Sequence, residues 1–208
     1  MSSGPDVKVE MKVSLEEVQD RLGNLDKKAG TIFANAAKRA MTTGKKVIKQ
    51  ETAARYNVRQ KDVAEALKES RDKKTRGLTW KLTYKDPHRN LFSFGTKSVV
   101  TPKFPIRSSS PYNPDPKFYS ANVEKSTGKQ ALDGKPKPFV QISKNSQRIA
   151  LFERESNDPR AEIRGVAAPA IPQIIKNKKV IERFDEEVGN MLRNRIDHEI
   201  SRVLGGNG

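Results

Sequence analysis

The chain contains no cysteine, which removes disulfides, thiol catalysis and Cys-ligated zinc together. Histidine is nearly as scarce: His88 and His198 are the 2 present, far apart and without metal-ligand spacing. Aromatic residues make up 6% of the chain, few for a protein that stacks a succession of single-stranded bases. No apolar run is long enough to span a membrane, and the N-terminus carries no signal-peptide pattern. Hydrophobic residues amount to 34%, enough for one core plus exposed arms, and no linker-like stretch divides two separate apolar cores. Acidic residues are also in deficit. Against 41 Lys and Arg stand 25 Asp and Glu, and the formal charge of +16 favours a polyanionic partner, most simply nucleic acid.

Catalytic signatures are missing as well. Gly44-Lys45 and Gly128-Lys129 each lack the upstream glycine of a phosphate-cradling loop. His198-Glu199 is not followed by a second histidine one turn on. Pro114-Asp115 followed by Asp133-Gly134-Lys135 imitates the spacing of a metal-dependent nuclease. That chemistry needs its carboxylates and lysine on rigid strands, and here both halves fall in proline- and glycine-rich loops. Asp185, Glu186 and Glu187 read as a solvated helix face. The expectation is a protein without enzymatic activity, cofactor or metal.

What is present is organised around residues 15–54, which read as one long helix. Leu15, Val18, Leu22, Leu25, Ala29, Ile32, Phe33, Ala36, Ala40 and Val47 share one face at helical spacing. Gly23 and Gly30 lie off that face, each tolerated at about 1 kcal/mol. Ser14 and Glu17 form a capping box. Unbroken, about 40 residues run about 60 Å. The alanines at 29, 36 and 40 require something to approach the helix backbone closely.

Ahead of this helix Val7, Val9, Met11 and Val13 alternate with polar residues as a short strand. Behind it, Asn57 is a C-terminal stop, and a second helix is predicted over 60–69 with Val63, Ala64 and Leu67 inward. Residues 71–76 form a charged loop. Leu78, Trp80, Leu82 and Tyr84 mark the clearest strand, turned by Asp86-Pro87. Leu91, Phe92 and Phe94 lead through Gly95 to a second strand reaching Val100. Residues 118–124 are a strand candidate. Phe139, Val140 and Ile142 pair with Ile149, Leu151 and Phe152 as a hairpin.

Two stretches are loops. Residues 127–138 end in Lys-Pro-Lys-Pro, and residues 101–117 form a proline-rich arm around a serine triplet. Phe104, Ile106 and Tyr112 are apolar residues stranded in that arm, where docking on a neighbouring subunit or an adjacent protein would bury them.

Near the end, Pro169 and Pro172 start a short helical turn, and a final helix runs from Lys178 to Leu204, stopped by Gly205-Gly206. Its apolar row of Phe184, Val188, Leu192, Ile196, Ile200 and Leu204 is spaced by four, a drift of about 40° per step. Either the helix wraps one core, or its second half (Ile196, Ile200, Leu204) meets another subunit or partner. The fold class is α+β. The long N-terminal and C-terminal helices pack on a mixed, mainly antiparallel sheet with extended loops, as one domain over 1–208.

Basic residues cluster at Lys45, Lys46 and Lys49 on the first helix, and at Lys176, Lys178 and Lys179 ahead of the last. Cations near a helix N-terminus oppose its dipole, so local stability does not explain the second cluster. Both clusters are candidates to face DNA.

The order of motifs carries a resemblance. Tyr56-Asn57-Val58-Arg59-Gln60-Lys61-Asp62-Val63 opens the second helix, and Asn90-Leu91-Phe92-Ser93-Phe94-Gly95 lies at a strand. A hairpin runs from Phe139 to Phe152-Glu153-Arg154. Ala168-Pro169-Ala170-Ile171-Pro172 precedes a helix that ends Ile196-Asp197-His198-Glu199-Ile200. In this order, from about Val9 to Leu204, the chain resembles the minor tail protein Z family, the tail completion proteins of long-tailed (siphovirus-type) bacteriophages. The arm at 101–117 departs from that pattern.

The resemblance implies a structural virion protein at the head-proximal end of the tail, at the neck, forming a homo-oligomeric ring (a hexamer favoured) around the DNA channel. It implies partners among the tail terminator, tail tube and head-completion proteins, double-stranded DNA in the channel, and no membrane. The protein would pass through the host cytoplasm during virion assembly and take part in head–tail joining. The positive charge faces either the DNA, without base readout, or another protein of the assembly. The alternative class is a stand-alone basic protein that binds double-stranded nucleic acid independently of sequence.

Overall fold

A computed structural model describes residues 5–12, 29–71, 79–94, 97–98, 119–132, 135–142 and 149–205. In chain order these residues form β1 (Asp6–Lys12), α1 (Ala29–Arg55), α2 (Gln60–Glu65), β2 (Leu67–Arg71), β3 (Thr79–Lys85), β4 (Arg89–Asn90) and β5 (Lys97–Ser98). They continue with β6 (Tyr119–Ala121), β7 (Gln130–Ala131), β8 (Phe139–Ile142), β9 (Ile149–Arg154), β10 (Ile163–Gly165), β11 (Ala167–Ala168), α3 (Ile171–Ile175) and α4 (Lys178–Leu204). The class is α+β. The strand pairings among the described residues are antiparallel, and they sort into four small sheets ordered β1-β3-β2, β10-β9-β8, β11-β4 and β5-β6-β7.

Contacts group the chain into two compact units whose segments alternate in sequence. The first takes Met1–Thr52, Gln60–Asp86 and Ile171–Gly208, and the second takes Ala53–Arg59 and Pro87–Ala170. No single cut of the chain separates them.

In the first unit β3 is the central strand, in register from Asp6↔Lys85 to Lys12↔Thr79 with β1 and from Leu67↔Tyr84 to Arg71↔Trp80 with β2. Val7, Val9, Leu82 and Tyr84 are buried, as the alternation of β1 and β3 requires. The helix expected over 60–69 ends at Glu65 instead. Val63 and Ala66 are buried while Ala64 is exposed, so barely one turn of apolar spacing supports it. From Leu67 onward the backbone finds its partners on β3, and Lys85 N donates to Ala66 O at 2.8 Å. Five paired residues satisfy more backbone than one further helical turn would.

Along α1, Ile32, Phe33, Ala36, Ala37, Ala40, Met41 and Ile48 are buried. Val47, expected on this face, is only half-buried, and Ile48 continues the row in its place. The part of the expected helix over 15–28, with its capping box, lies outside the described residues. Gly30 is exposed with nothing within 4 Å of its Cβ position, consistent with its place off the face. Beyond Arg55, Tyr56 bridges Glu124, while Asn57 N donates to Val123 O at 3.0 Å and Asn57 Nδ2 to Asn122 O at 2.7 Å. Asn57 therefore ends the helix by pairing with a distant segment.

The C-terminal helix occupies the predicted span, with Asn177 Oδ1 accepting from Lys179 N at 3.0 Å as its N-cap. Phe184, Val188, Leu192, Ile196 and Ile200 are all buried within this chain, none more than 7% exposed. The drifting row thus wraps its own core. That corrects the assignment of Ile196 and Ile200 to a subunit contact, because they keep almost no surface for a neighbour. Leu204 ends α4, its side chain outside the described residues, as are Phe104, Ile106 and Tyr112 with the whole arm at 101–117.

In the second unit the expected hairpin pairs Phe139↔Phe152 through Ile142↔Ile149, and the Phe139 and Phe152 rings stack at 6.2 Å. Asn90 ties a neighbouring segment to it. Its Oδ1 accepts from Leu151 N at 2.8 Å and Phe92 N at 3.0 Å, and its Nδ2 donates to Leu151 O at 2.7 Å. The side chain thereby replaces a peptide group beside β9. Leu91–Ser93 is a 3-10 turn where a strand approach was expected. The loop over 127–138 contains β7, which pairs with β6 at Ser120↔Ala131 and Ala121↔Gln130.

Candidate nucleic-acid interface

The long helices of the first unit run antiparallel. Gly44 of α1 lies against Phe184 and Val188 of α4, while Asn35, Lys38, Arg39 and Thr42 meet Glu199 and Arg202 near its other end. A Cβ on Gly44 would stand 2.5 Å from Phe184 Cε2 and 2.8 Å from Val188 Cγ2, so the helices approach to a distance that only glycine permits. Gly44 lies one turn beyond Ala40 on the same side of α1, so a close approach is seen at the end of the alanine row.

With its apolar side held against α4, α1 turns the opposite side outward. Asn35, Lys38, Arg39, Thr42, Lys45, Lys46 and Lys49 fall within about 120° of arc at 3.6 residues per turn. Asn35, Lys38, Arg39, Thr42 and Lys46 are exposed, and Lys45 and Lys49 are half-exposed. No Asp or Glu occurs from Ala29 to Gln50. Thr42 Oγ1 donates to Lys38 O at 2.9 Å, so its hydroxyl proton is engaged within the helix.

Where α1 meets the end of α4, a cleft of about 450 Å³ is lined by Asn35, Lys38, Arg39, Thr42, Glu199 and Arg202. Arg202 Nη2 donates to Glu199 Oε2 at 2.7 Å, which neutralises the acid of the cleft, and Arg202 stays 66% exposed. Arg202, Lys38 and Arg39 then face one open space with a positive balance.

The second predicted cluster has a different setting. Lys176, Lys178 and Lys179 are exposed, but Lys178 pairs with Glu182 at 3.6 Å. One turn on, Arg183 forks to Glu186 and Glu187, both at 2.7 Å. The hydrogen bond to Glu186 and the charges of Glu187 and Glu186 raise its pKa above the ordinary arginine value. Lysines at 176–179 therefore border an acidic stretch, whereas Lys45, Lys46 and Lys49 belong to a helix face that carries no Asp or Glu of its own from Ala29 to Gln50.

Lys38, Arg39 and Arg202 were missed as site residues. The first two were legible as a Lys-Arg pair in the outward phase of α1. Arg202 was not, since only helix packing brings it there. Among the described residues, no group of three His, Asp or Glu side chains is arranged to hold a metal ion, and no helix is long and apolar enough to cross a membrane. Of the nuclease-like set, Lys135 is described, while Asp115, Asp133 and Gly134 lie outside the described residues. No family model, curated protein or solved structure matches this chain.

Proposed function

We propose that this protein is a structural component of a phage tail. In this reading it completes the head-proximal end as a homo-oligomeric ring around the DNA channel, contacts neighbouring tail and neck proteins, and performs no catalysis. The observation that carries the reading is the order of motifs along the chain, from Tyr56–Val63 through Asn90–Gly95 and the Phe139 hairpin to Ala168–Pro172 and the final helix. Two of these motif residues act as joints: Asn57 and Asn90 each tie together segments more than 60 positions apart. Joints of this kind suit a protein whose task is to hold shape. Its place would be the virion, reached through assembly in the host cytoplasm.

The test is cryo-electron microscopy of assembled particles together with particles lacking the protein. The expected results are a ring at the top of the tail with six-fold symmetry, and tails that fail to join heads when it is missing. A different symmetry would overturn the subunit number, and absence from the tail would overturn the role. Deleting residues 102–116 should leave folding intact and impair incorporation into tails; normal incorporation would refute the docking role of the arm.

The basic outer face of α1 favours the second reading, a stand-alone protein that binds duplex nucleic acid independently of sequence. Full DNA affinity in a protein absent from particles would be its signature.

A further inference from the structure

We infer that the outer face of α1, completed at one end by Arg202 of α4, binds the sugar–phosphate backbone of duplex DNA, with successive phosphates drawn to Lys38, Arg39 and Arg202 around the cleft. The inference rests on the proposed tail role only for the source of that DNA, and its chemistry stands on the following observations.

The face is one-signed. Lys38, Arg39, Lys45, Lys46 and Lys49 share it, with no acidic residue from Ala29 to Gln50, and the Glu199 that borders it is engaged by Arg202 at 2.7 Å. The face is also long. From Lys38 to Lys49 the helix advances about 16 Å at 1.5 Å per residue. One DNA strand places a phosphate about every 3.4 Å of axis, so roughly five phosphates pass along that length. The cleft supplies the Arg39 guanidinium, which matches phosphate oxygens bidentately, the exposed part of the Arg202 guanidinium not taken by Glu199, and one lysine as a point charge. Asn35 adds an amide donor at its rim.

An acidic protein is the competing partner, and the composition of the face argues against it. Protein interfaces carry aromatic and apolar residues at their centre and are depleted in lysine. Between Asn35 and Lys49 the outer face holds no aromatic and no large apolar side chain. A surface of cations and short polar groups fits a polyanion that is read by charge and spacing alone, without recognition of bases.

The experiment uses the full-length protein and a fluorescent duplex of about 20 base pairs, titrated by anisotropy between about 50 and 200 mM salt. With five or six phosphate contacts, log K should fall with log salt at a slope of about −5. The triple variant Lys38→Gln, Arg39→Gln, Arg202→Gln should make the slope shallower by about 2.7 and weaken binding at least tenfold at about 100 mM salt. The equal-charge control Lys176→Gln, Lys178→Gln, Lys179→Gln should change neither by more than about a third of that.

Equal losses in the two triples would show diffuse attraction and overturn the site. Absence of DNA binding by the parent protein at the lowest salt would do the same. Polyglutamate binding as tightly as DNA, with the same sensitivity to the cleft triple, would assign the face to an acidic protein. If the cleft triple melts early, the single variants Lys38→Gln and Arg39→Gln carry the comparison. These are exposed positions, and each should reduce the slope by about 0.9. Location in particles is read separately, so a tail role without DNA binding and DNA binding without a tail role give different results.

Discussion

Replacing Gly44 by alanine tests the packing that creates the outer face of α1. The added methyl would meet Phe184 Cε2 at 2.5 Å and Val188 Cγ2 at 2.8 Å, against an optimal carbon separation of about 3.5–4.0 Å. Phe184 and Val188 are themselves buried, at 1% and 3% exposure, so neither can swing aside into solvent. Overpacking of this severity costs about 2–3 kcal/mol, and alanine returns about 1 kcal/mol through its better helix propensity. The net expectation is a loss of about 1–2 kcal/mol, or roughly 2–8 °C in Tm for a chain of this size. Gly189, in the middle of α4 with nothing within 4 Å of its Cβ position, provides the control. There the same substitution should gain about 1 kcal/mol from propensity alone. Thermal and urea unfolding of the two variants in one buffer cancel the propensity contribution. If Gly44→Ala raises Tm as Gly189→Ala does, the two helices are not in close contact at this point and the argument fails.

Three further outcomes follow from the packing. Asn90→Ala removes the partner of Leu151 N, Leu151 O and Phe92 N, and should cost about 2–4 kcal/mol in denaturant unfolding. Asn90→Asp, which keeps the acceptor but loses the donor to Leu151 O, should fall between; a change under about 0.5 kcal/mol for the alanine variant would show that the amide is dispensable. Ile196→Ala should destabilise the isolated protein by about 2–5 kcal/mol at any dilution, whereas a residue serving only a subunit contact would leave the monomer unchanged. Gly128→Ala, at a φ of 70° that closes the 3-10 turn after Glu124, should cost about 1 kcal/mol, and equal stability would mean that the turn relaxes without penalty.

The local pattern of the chain was sufficient wherever one element supplies its own signal. Alternation defined β1 and β3, the hairpin β8–β9 follows from two apolar runs around a polar turn, and α4 begins and ends where Lys178 and Gly205 place it. The α+β class follows from these elements. Spacing also showed that something must approach the alanines of α1 closely. Local pattern failed where backbone partners are distant. Residues 67–71 resemble the tail of a helix until β3 is available to pair with them, and the helix stop at Asn57 is legible while its partners, Asn122 and Val123, are not.

The same division runs through the candidate site. The sequence alone determined the basic excess and put Lys45, Lys46 and Lys49 on one helix. Tertiary structure decided which cations act together, because a charge matters through its neighbours in space. Lys178 pairs with Glu182, and Arg183 one turn on is held by Glu186 and Glu187, while Lys38 and Arg39 gain Arg202, more than 160 positions away in the chain. Four-residue spacing along α4 was compatible with a second partner or with a single curved core. Burial of Ile196 and Ile200 decided for the core, since apolar side chains take the nearest surface that removes them from water.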